Sequence, residues 1–395
     1  MDVAKIRNDF PFLQRKINDK PIIYLDNAAT TQKPTPVLET LVSFYQNHCS
    51  NIHRGTHTLS LEASEIYEKA RRRVARFLNA DEDEIVFVRN ATEAINLVAR
   101  SLPISGKILL SLFEHHSNIL PWQHSRELIY FESDPDGTVC LSDLALKSKQ
   151  SVQLLTVSHV SNVLGTVNPL EQILAVAKEN RVLTLVDASQ SVPNMKIDVK
   201  QLDCDFLTFS GHKMLAPFSI GVLFVKRDVY PMLQPFMLGG GSVTEVHVDH
   251  YLWENPPQAF EAGTPNVAGA VALAAAIDYL EKIGLENILA HEKRLVKLAL
   301  ADLSRIKNLQ VYGTEDVESR IGLISFGTKN LAAHALAKVL NLRENIMIRS
   351  GFHCAQPLHE KLGIGPSARA SFYIYNTEEE VRKMTWLLKK VVEFM

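Results

Sequence analysis

Cysteine is scarce in this chain of 395 residues: Cys49, Cys140, Cys204 and Cys354 stand far apart, with no C-x-x-C pair among them. That spacing offers no paired thiols for zinc or dithiol exchange and no disulfide framework, and it predicts reduced thiols in a cytoplasmic setting. Long hydrophobic runs are missing too. The longest apolar stretch, residues 268–277, stops at Asp278, about half the length of a membrane-spanning helix. Residues 1–16 carry Asp2, Lys5, Arg7, Asp9, Arg15 and Lys16 and contain no apolar signal core,. Nor is there an excess of one charge. Lys and Arg total 42 against 44 for Asp and Glu, a net charge of -2, and no basic run offers a phosphate-neutralising footprint, so nucleic acid is excluded as an expected partner.

What is present is the mixture of a folded protein, 46% hydrophobic and 22% charged, far from the disordered corner of composition. At about 150 residues per domain the length suggests two or three domains. Residues 21–25 read as a short strand running into the turn-rich loop 26–31, and apolar Ile66, Ala70, Val74 and Phe77 mark an amphipathic helix. A rhythm follows: strands at 84–88, 107–112, 152–158, 182–186, 205–209 and 220–225, with helices at 91–101 and 169–179 between some of them. Buried apolar runs alternating with amphipathic helices predict an α/β fold whose mainly parallel sheet lies between helices, with ligands at the carboxyl ends of the strands. Beyond the Gly- and Pro-rich stretch 239–257, a helix-rich segment leads into strands around 309–312, 322–326, 346–349 and 369–374 and a final helix from 377, an α+β pattern. There is no internal repeat or low-complexity tract.

The strongest local feature is Thr208-Phe209-Ser210-Gly211-His212-Lys213, a lysine displayed just past a strand beside hydroxyl and imidazole neighbours. A lysine so placed suits a Schiff base. An earlier strand ends in Asp187-Ala188-Ser189-Gln190, which brings a carboxylate to the same sheet edge. Pyridoxal phosphate needs both groups, an amine for the imine and an acid to keep the pyridine nitrogen protonated. Either residue alone reads most simply as a solvated surface side chain; the pair on neighbouring strand ends does not. Asn90-Ala91-Thr92-Glu93 sits at a strand-to-helix junction, where free N–H groups attract a phosphate, although a capped helix explains the same residues.

Tyr24-Leu-Asp-Asn-Ala-Ala-Thr30, Asn51-Ile-His-Arg-Gly55, Ala91-Thr-Glu-Ala-Ile-Asn96, Glu114-His-His-Ser-Asn118, Ser158-His-Val-Ser-Asn-Val-Leu-Gly165, Ser210-Gly-His-Lys213, Phe260-Glu-Ala-Gly-Thr-Pro-Asn266 and Arg349-Ser-Gly-Phe-His-Cys-Ala-Gln-Pro357 together resemble the cysteine desulfurases. The likeness runs almost end to end and is closest to the SufS and CsdA type of the class V, fold-type I pyridoxal-phosphate enzymes. It implies a large cofactor-binding domain over 21–262 with a seven-stranded sheet, a smaller α+β domain over 263–395 carrying the catalytic cysteine, and an N-terminal arm, 1–20, against the small domain.

The resemblance also implies roles. Lys213 would hold pyridoxal 5'-phosphate as an imine and then move the substrate Cα proton. Asp187 would pair with the pyridinium nitrogen, Gln190 with the ring phenolate oxygen, and Asn162 would lie near that oxygen and the substrate. His115 would stack on the ring as an acid or base. Ala91, Thr92, Ser210 and His212 would bind the phosphate, joined by Thr264 of a second subunit if the family's homodimer is kept. Cys354 would attack the sulfur of L-cysteine and keep it as a persulfide, its thiolate favoured by Arg349 and His353. Arg369 would clamp the substrate carboxylate with parallel donors, and Arg349 would assist at the substrate. Cys49, Cys140 and Cys204 lack such a setting and read as inert.

Phe352 departs from the pattern, since relatives often carry histidine or glutamine there, and it leaves the polarity beside the thiol open. The cysteine segment lacks the long loop of the IscS and NifS branch, which implies sulfur transfer to an acceptor of SufE or SufU type, for iron-sulfur cluster assembly or other sulfur transfer. Selenocysteine lyase, cysteine sulfinate desulfinase and class V aminotransferase activities use the same lysine and acid and stay open, whereas a non-enzymatic scaffold would have no use for Lys213 and Asp187.

Overall fold

Strands Ile85–Val88, Phe206–Ser210 and Gly221–Val225 are buried at every position, the signature of strands covered on both faces. In the computed structural model, which describes residues 1–123 and 126–393, they belong to a seven-stranded sheet. Its spatial order is Ile85–Val88, Gly221–Val225, Phe206–Ser210, Leu183–Asp187, Val152–Ser158, Lys107–Ser111, Leu128–Phe131. The last five pair in parallel, and Gly221–Val225 is antiparallel to both of its neighbours. The sheet is therefore mainly parallel, with one reversed strand and one strand, Leu128–Phe131, that no periodicity marked.

Apolar stripes on helices close both faces. One cluster joins Leu109, Leu155, Val186 and Phe209 to Tyr67, Val74, Ile173 and Ile277; the other joins Leu110, Leu185 and Leu223 to Ile95, Val98 and Trp122. Helix Val267–Ile283 contains the apolar stretch of the sequence and packs it into the first cluster. No helix among the described residues is long and apolar enough to cross a membrane.

A second, four-stranded antiparallel sheet orders Leu309–Tyr312, Leu323–Thr328, Ser367–Ser371 and Arg349–Gly351. Its core of Ile324, Phe326 and Ala370 packs on Leu295, Leu336 and Leu388. The N-terminal chain is tied to this region: Ile23–Tyr24 pairs in parallel with Ile346–Met347, and Arg7 meets Glu380 at 2.9 Å.

Two buried carboxyls lock these layers, in opposite ways. Glu261 accepts from Arg71 at 2.8 and 2.9 Å, from the Phe87 N–H at 2.6 Å and from the Tyr67 hydroxyl at 2.9 Å, and the Arg71 side chain is 1% exposed. Glu261→Ala leaves that buried guanidinium with only Glu68, at 2.9 Å, and the Ile85 carbonyl as partners and should cost about 3 kcal/mol in urea unfolding; a loss below about 1 kcal/mol would refute the pairing as a structural lock. Glu292 meets no cation among the described residues. One of its oxygens accepts from the Gly322 N–H at 2.8 Å and the other is buried without a partner. Burial pushes its carboxyl from the ordinary 4.5 to about 8, so the folded state holds a proton that the unfolded state releases, and stability falls as pH rises from about 4.5 to about 8. Glu292→Gln should accordingly gain thermal stability over the parent at pH 8 relative to pH 5. Melting curves that stay parallel at both pH values would contradict this.

Candidate active site

The site begins with strand register. Leu183–Asp187 and Phe206–Ser210 are neighbours with Asp187 opposite Thr208, so the turn Gly211–Lys213 leaves the sheet edge where the acid sits. Between this edge and the second sheet lies a cavity of about 270 Å³ whose wall includes Lys213, Asp187, His115, Asn162, Cys354 and Arg369. Burial lowers the Lys213 amine, opposed by the Asp187 carboxylate and reinforced by Arg369, which favours the free-base form that a nucleophilic lysine needs. Asp187 accepts from the Ser189 N–H at 2.9 Å.

The phosphate-side residues also converge. Asn90 caps helix Ala91–Ser101 by accepting from the Glu93 N–H at 2.9 Å, the Ala91 N–H donates to Ser210 Oγ at 2.9 Å, and Thr92 Oγ1 lies 2.7 Å from Ser117 Oγ. Asn90 comes this close because of Gly221: a Cβ there would stand 2.8 Å from Asn90 Cα. The loop 26–33 closes the floor, with the Thr31 N–H donating to the His212 carbonyl at 3.1 Å. Gln190 donates to the Ala28 carbonyl at 2.9 Å. His212 is held down to about 4 by burial and then by Lys213 and Lys33.

The histidine pair divides its work. His115 Nδ1 accepts from the Ser117 N–H at 3.1 Å, which leaves its proton on Nε2; burial and Lys213 keep the ring neutral against the pull of Asp187. His116 turns away and holds the cysteine turn, its N–H donating to the Cys354 carbonyl at 2.7 Å and its Nε2 accepting from the Gln356 N–H at 3.0 Å. Asn162 donates to the His353 carbonyl at 2.8 Å. His353 and Cys354 both take left-handed φ, 51° and 57°, an unfavourable pair for side chains with a Cβ that these anchors hold in place.

Arg349 and Arg369 face each other across two strands, a repulsive pairing relieved by Asp26, which lies 3.7 Å from one and 3.4 Å from the other. Arg369 also donates to the Asn162 carbonyl at 2.8 Å, and its Nε is buried without a partner. Two cations around one carboxylate leave a net positive charge suited to a second anion. Asp26 lay within a quoted motif without an assigned role; its loop gave no signal that it would meet residues more than three hundred positions away.

His353 differs from expectation. Burial first, then Arg369 and His359, push it down to about 2, so His353 does not supply positive charge beside Cys354, whereas Arg349 and Arg369 on the same wall do. Thr264 is not on this cavity; it is exposed and lines a separate hollow with Asn51, His53 and Arg54.

The residues fit pyridoxal 5'-phosphate. Lys213 could carry it, Asp187 could face its ring nitrogen, and the capped helix with Thr92, Ser210 and His212 could hold its phosphate. Buried polar atoms here that lack partners, Ser189 Oγ, His212 Nδ1 and Arg369 Nε, are the kind a ligand satisfies.

Comparison with known proteins agrees. The aminotransferase class-V family model matches residues 23–384. A probable cysteine desulfurase of Halalkalibacterium halodurans is 42% identical, covering 100% of this chain and 99% of its own length. A cysteine desulfurase of Cronobacter sakazakii is 43% identical over 97% of this chain and 96% of its own. Among solved structures, the cysteine desulfurase of Thermococcus onnurineus NA1 superposes with a TM-score of 0.94 at 39% identity, covering 99% of this chain and 98% of its own. The cysteine desulfurase CsdA of Escherichia coli gives 0.91 at 31% identity, covering 100% and 99%. At these scores and coverages the α/β fold of this chain is shared with both along its whole length.

Cys354 is exposed, whereas Cys204 is buried and its thiol is pushed up to about 12. Brief iodoacetamide treatment at neutral pH followed by peptide mapping should therefore modify Cys354 and spare Cys204 until the protein is unfolded; early modification of Cys204 would show that the core opens readily.

Proposed function

Because this chain belongs to the aminotransferase class-V family and matches cysteine desulfurases along its whole length, we propose that it converts L-cysteine to L-alanine and keeps the sulfur as a persulfide on Cys354. The observation that carries the reading is that one cavity unites a thiol, a buried lysine, a carboxylate at the adjoining strand end and a half-satisfied arginine. A transaminase needs no thiol there.

Bound pyridoxal 5'-phosphate supplies an electrophilic carbon and a ring that accepts the electron pair released at the substrate Cα. Asp187 keeps the proton on the ring nitrogen. Arg369, on the cavity wall, takes the substrate carboxylate with its guanidinium in a field already made positive by Arg349,. Lys213 Nζ, favoured as a free base by burial, takes the Cα proton and returns it within the cavity. His115, neutral with its proton on Nε2, offers a donor without adding charge. Cys354 Sγ attacks the substrate sulfur: the S–S bond forms, the C–S bond breaks, and its electron pair stays with the carbon fragment that is protonated to alanine.

Thr264, away from its own cavity, fits a composite site in which two copies pair and each completes the other's phosphate site. Cys354 is open to solvent at the mouth, which suits an acceptor protein of SufE or SufU type that reaches in, with iron-sulfur cluster assembly in the cytoplasm as the outlet. In the loaded protein, Cys354→Ala should retain the visible absorbance of the bound cofactor and lose sulfide release from L-cysteine, and mass spectrometry of the parent after cysteine treatment should find one added sulfur on Cys354. Unchanged turnover in the variant would remove Cys354 from the reaction.

A further inference from the structure

Glu114 is a buried carboxyl beside the site that no step of the reaction uses; it is 2% exposed. Its Oε1 accepts from the Ser158 N–H at 3.1 Å, and its Oε2 accepts from the Asn118 side-chain amide at 2.7 Å and meets the Ser158 hydroxyl. Asn118 in turn accepts from the Thr156 hydroxyl at 2.5 Å. Two periods make this staple. Thr156 and Ser158, two apart on strand Val152–Ser158, share one face of the sheet,, and the turn His116–Asn118 brings Glu114 and Asn118, four apart, onto that face. Between these anchors in the chain stands His115, on the cavity wall. Ser158 lines the same wall and is paired in register with Asp187, so staple, imidazole and acid meet at one strand end. A backbone N–H and an amide NH2 donate and do not accept, so a proton on Glu114 finds its acceptor at Ser158 Oγ. The Ser158 hydroxyl thus donates to an ionised Glu114, and the bond reverses when Glu114 is protonated, turning the Ser158 hydrogen away from it. Burial pushes the carboxyl from 4.5 up to about 7, against the pull of its Ser158 and Asn118 hydrogen bonds and with a further push from Asp187, so both states are populated near neutral pH.

We propose that Glu114 is a positioning residue for the reaction: it staples His115 to the strand end that carries Ser158 beside Asp187, and its proton sets the direction of the Ser158 hydroxyl. The part His115 plays in the reaction rests on the desulfurase reading; the staple and the proton stand without it. The charged group that acts on Glu114 is Asp187, two strands from the one that leads into it. His115, its neighbour in the chain, is held uncharged, and Lys213, Arg369 and Cys354 share the cavity wall. Ionised, Glu114 adds a second negative charge on the side of Asp187 and favours the protonated form of a ring nitrogen bound there. Protonated, it leaves that duty to Asp187 and frees the Ser158 hydroxyl as a donor.

The test begins with the full-length chain labelled with carbon-13 at the glutamate carboxyl carbons. The resonance that is missing from Glu114→Gln should titrate with a midpoint near pH 7; a midpoint below about pH 5.5, within the ordinary glutamate range, overturns the proton. In the cofactor-loaded protein with nitrogen-15 histidine, His115 being assigned through His115→Gln, its ring resonances should move in Glu114→Ala, and resonances that stay in place overturn the staple. Turnover of L-cysteine separates positioning from folding. The ratio of kcat at pH 8 to kcat at pH 6 should be about fivefold lower in Glu114→Gln than in the parent, the order of effect of one screened charge, because the amide carries no charge at either pH. An unchanged ratio would mean that Glu114 serves only the fold. The glutamine variant keeps the size of the side chain, so this arm decides the matter even where Glu114→Ala fails to fold. Should the parent release no sulfur from cysteine, the desulfurase reading fails, and the two resonances still decide the staple and the proton.

Discussion

The register between Leu183–Asp187 and Phe206–Ser210 is the constraint on which the rest of the molecule depends. It places an acid and a lysine-bearing turn at one edge, and because side chains alternate along a strand, a slip of one residue would send Asp187 to the opposite face. The register is secured by burial: both strands are sealed between two apolar layers, where any shift would expose apolar side chains and bury polar ones. Sheet packing thus acts directly on the site, since it sets where the chain may leave the sheet.

The second sheet brings the other half. Its strands Arg349–Gly351 and Ser367–Ser371 place two arginines face to face, and the loop after Ile23–Tyr24 supplies Asp26 between them. The left-handed turn at His353 and Cys354 hangs from the same strands and is pinned by Asn162 and His116, which belong to the first half of the chain. A thiol and a lysine that come from separate sheets are thereby held on one wall, and the unfavourable backbone of the turn is offset by anchors from the opposite side. Burial supplies the second theme, since it lowers the Lys213 amine and keeps the rings of His115, His212 and His353 uncharged.

Much of this was readable along the chain. Helix 91–101 and strand 152–158 emerge at the residues their periodicity predicts, and Asp187, Lys213 and Thr92 lie where strand ends and a helix start would put them. Other features left no local mark. The reversed strand Gly221–Val225 has the same apolar pattern as a parallel one, and Leu128–Phe131, an edge strand with only one position buried, carries too little alternation to stand out. His353 read as a positive charge beside Cys354, but burial first, then Arg369 and His359, neither of them adjacent to it in sequence, hold its ring uncharged.

What the amino-acid order determined alone is whatever depends on neighbours within a turn or a strand: the alternation of strands and helices, the capped helix at Asn90, and the presence of a lysine and a carboxylate at strand ends. Tertiary structure decided everything that depends on distance through space, including the Asp26 carboxylate between two arginines, the anchoring of the cysteine turn by Asn162 and His116, and the uncharged state of His353. The physical reason is that local conformation follows from backbone sterics and side-chain period, whereas charge state and hydrogen-bond direction follow from desolvation and from partners that only the folded chain brings within about 3 Å.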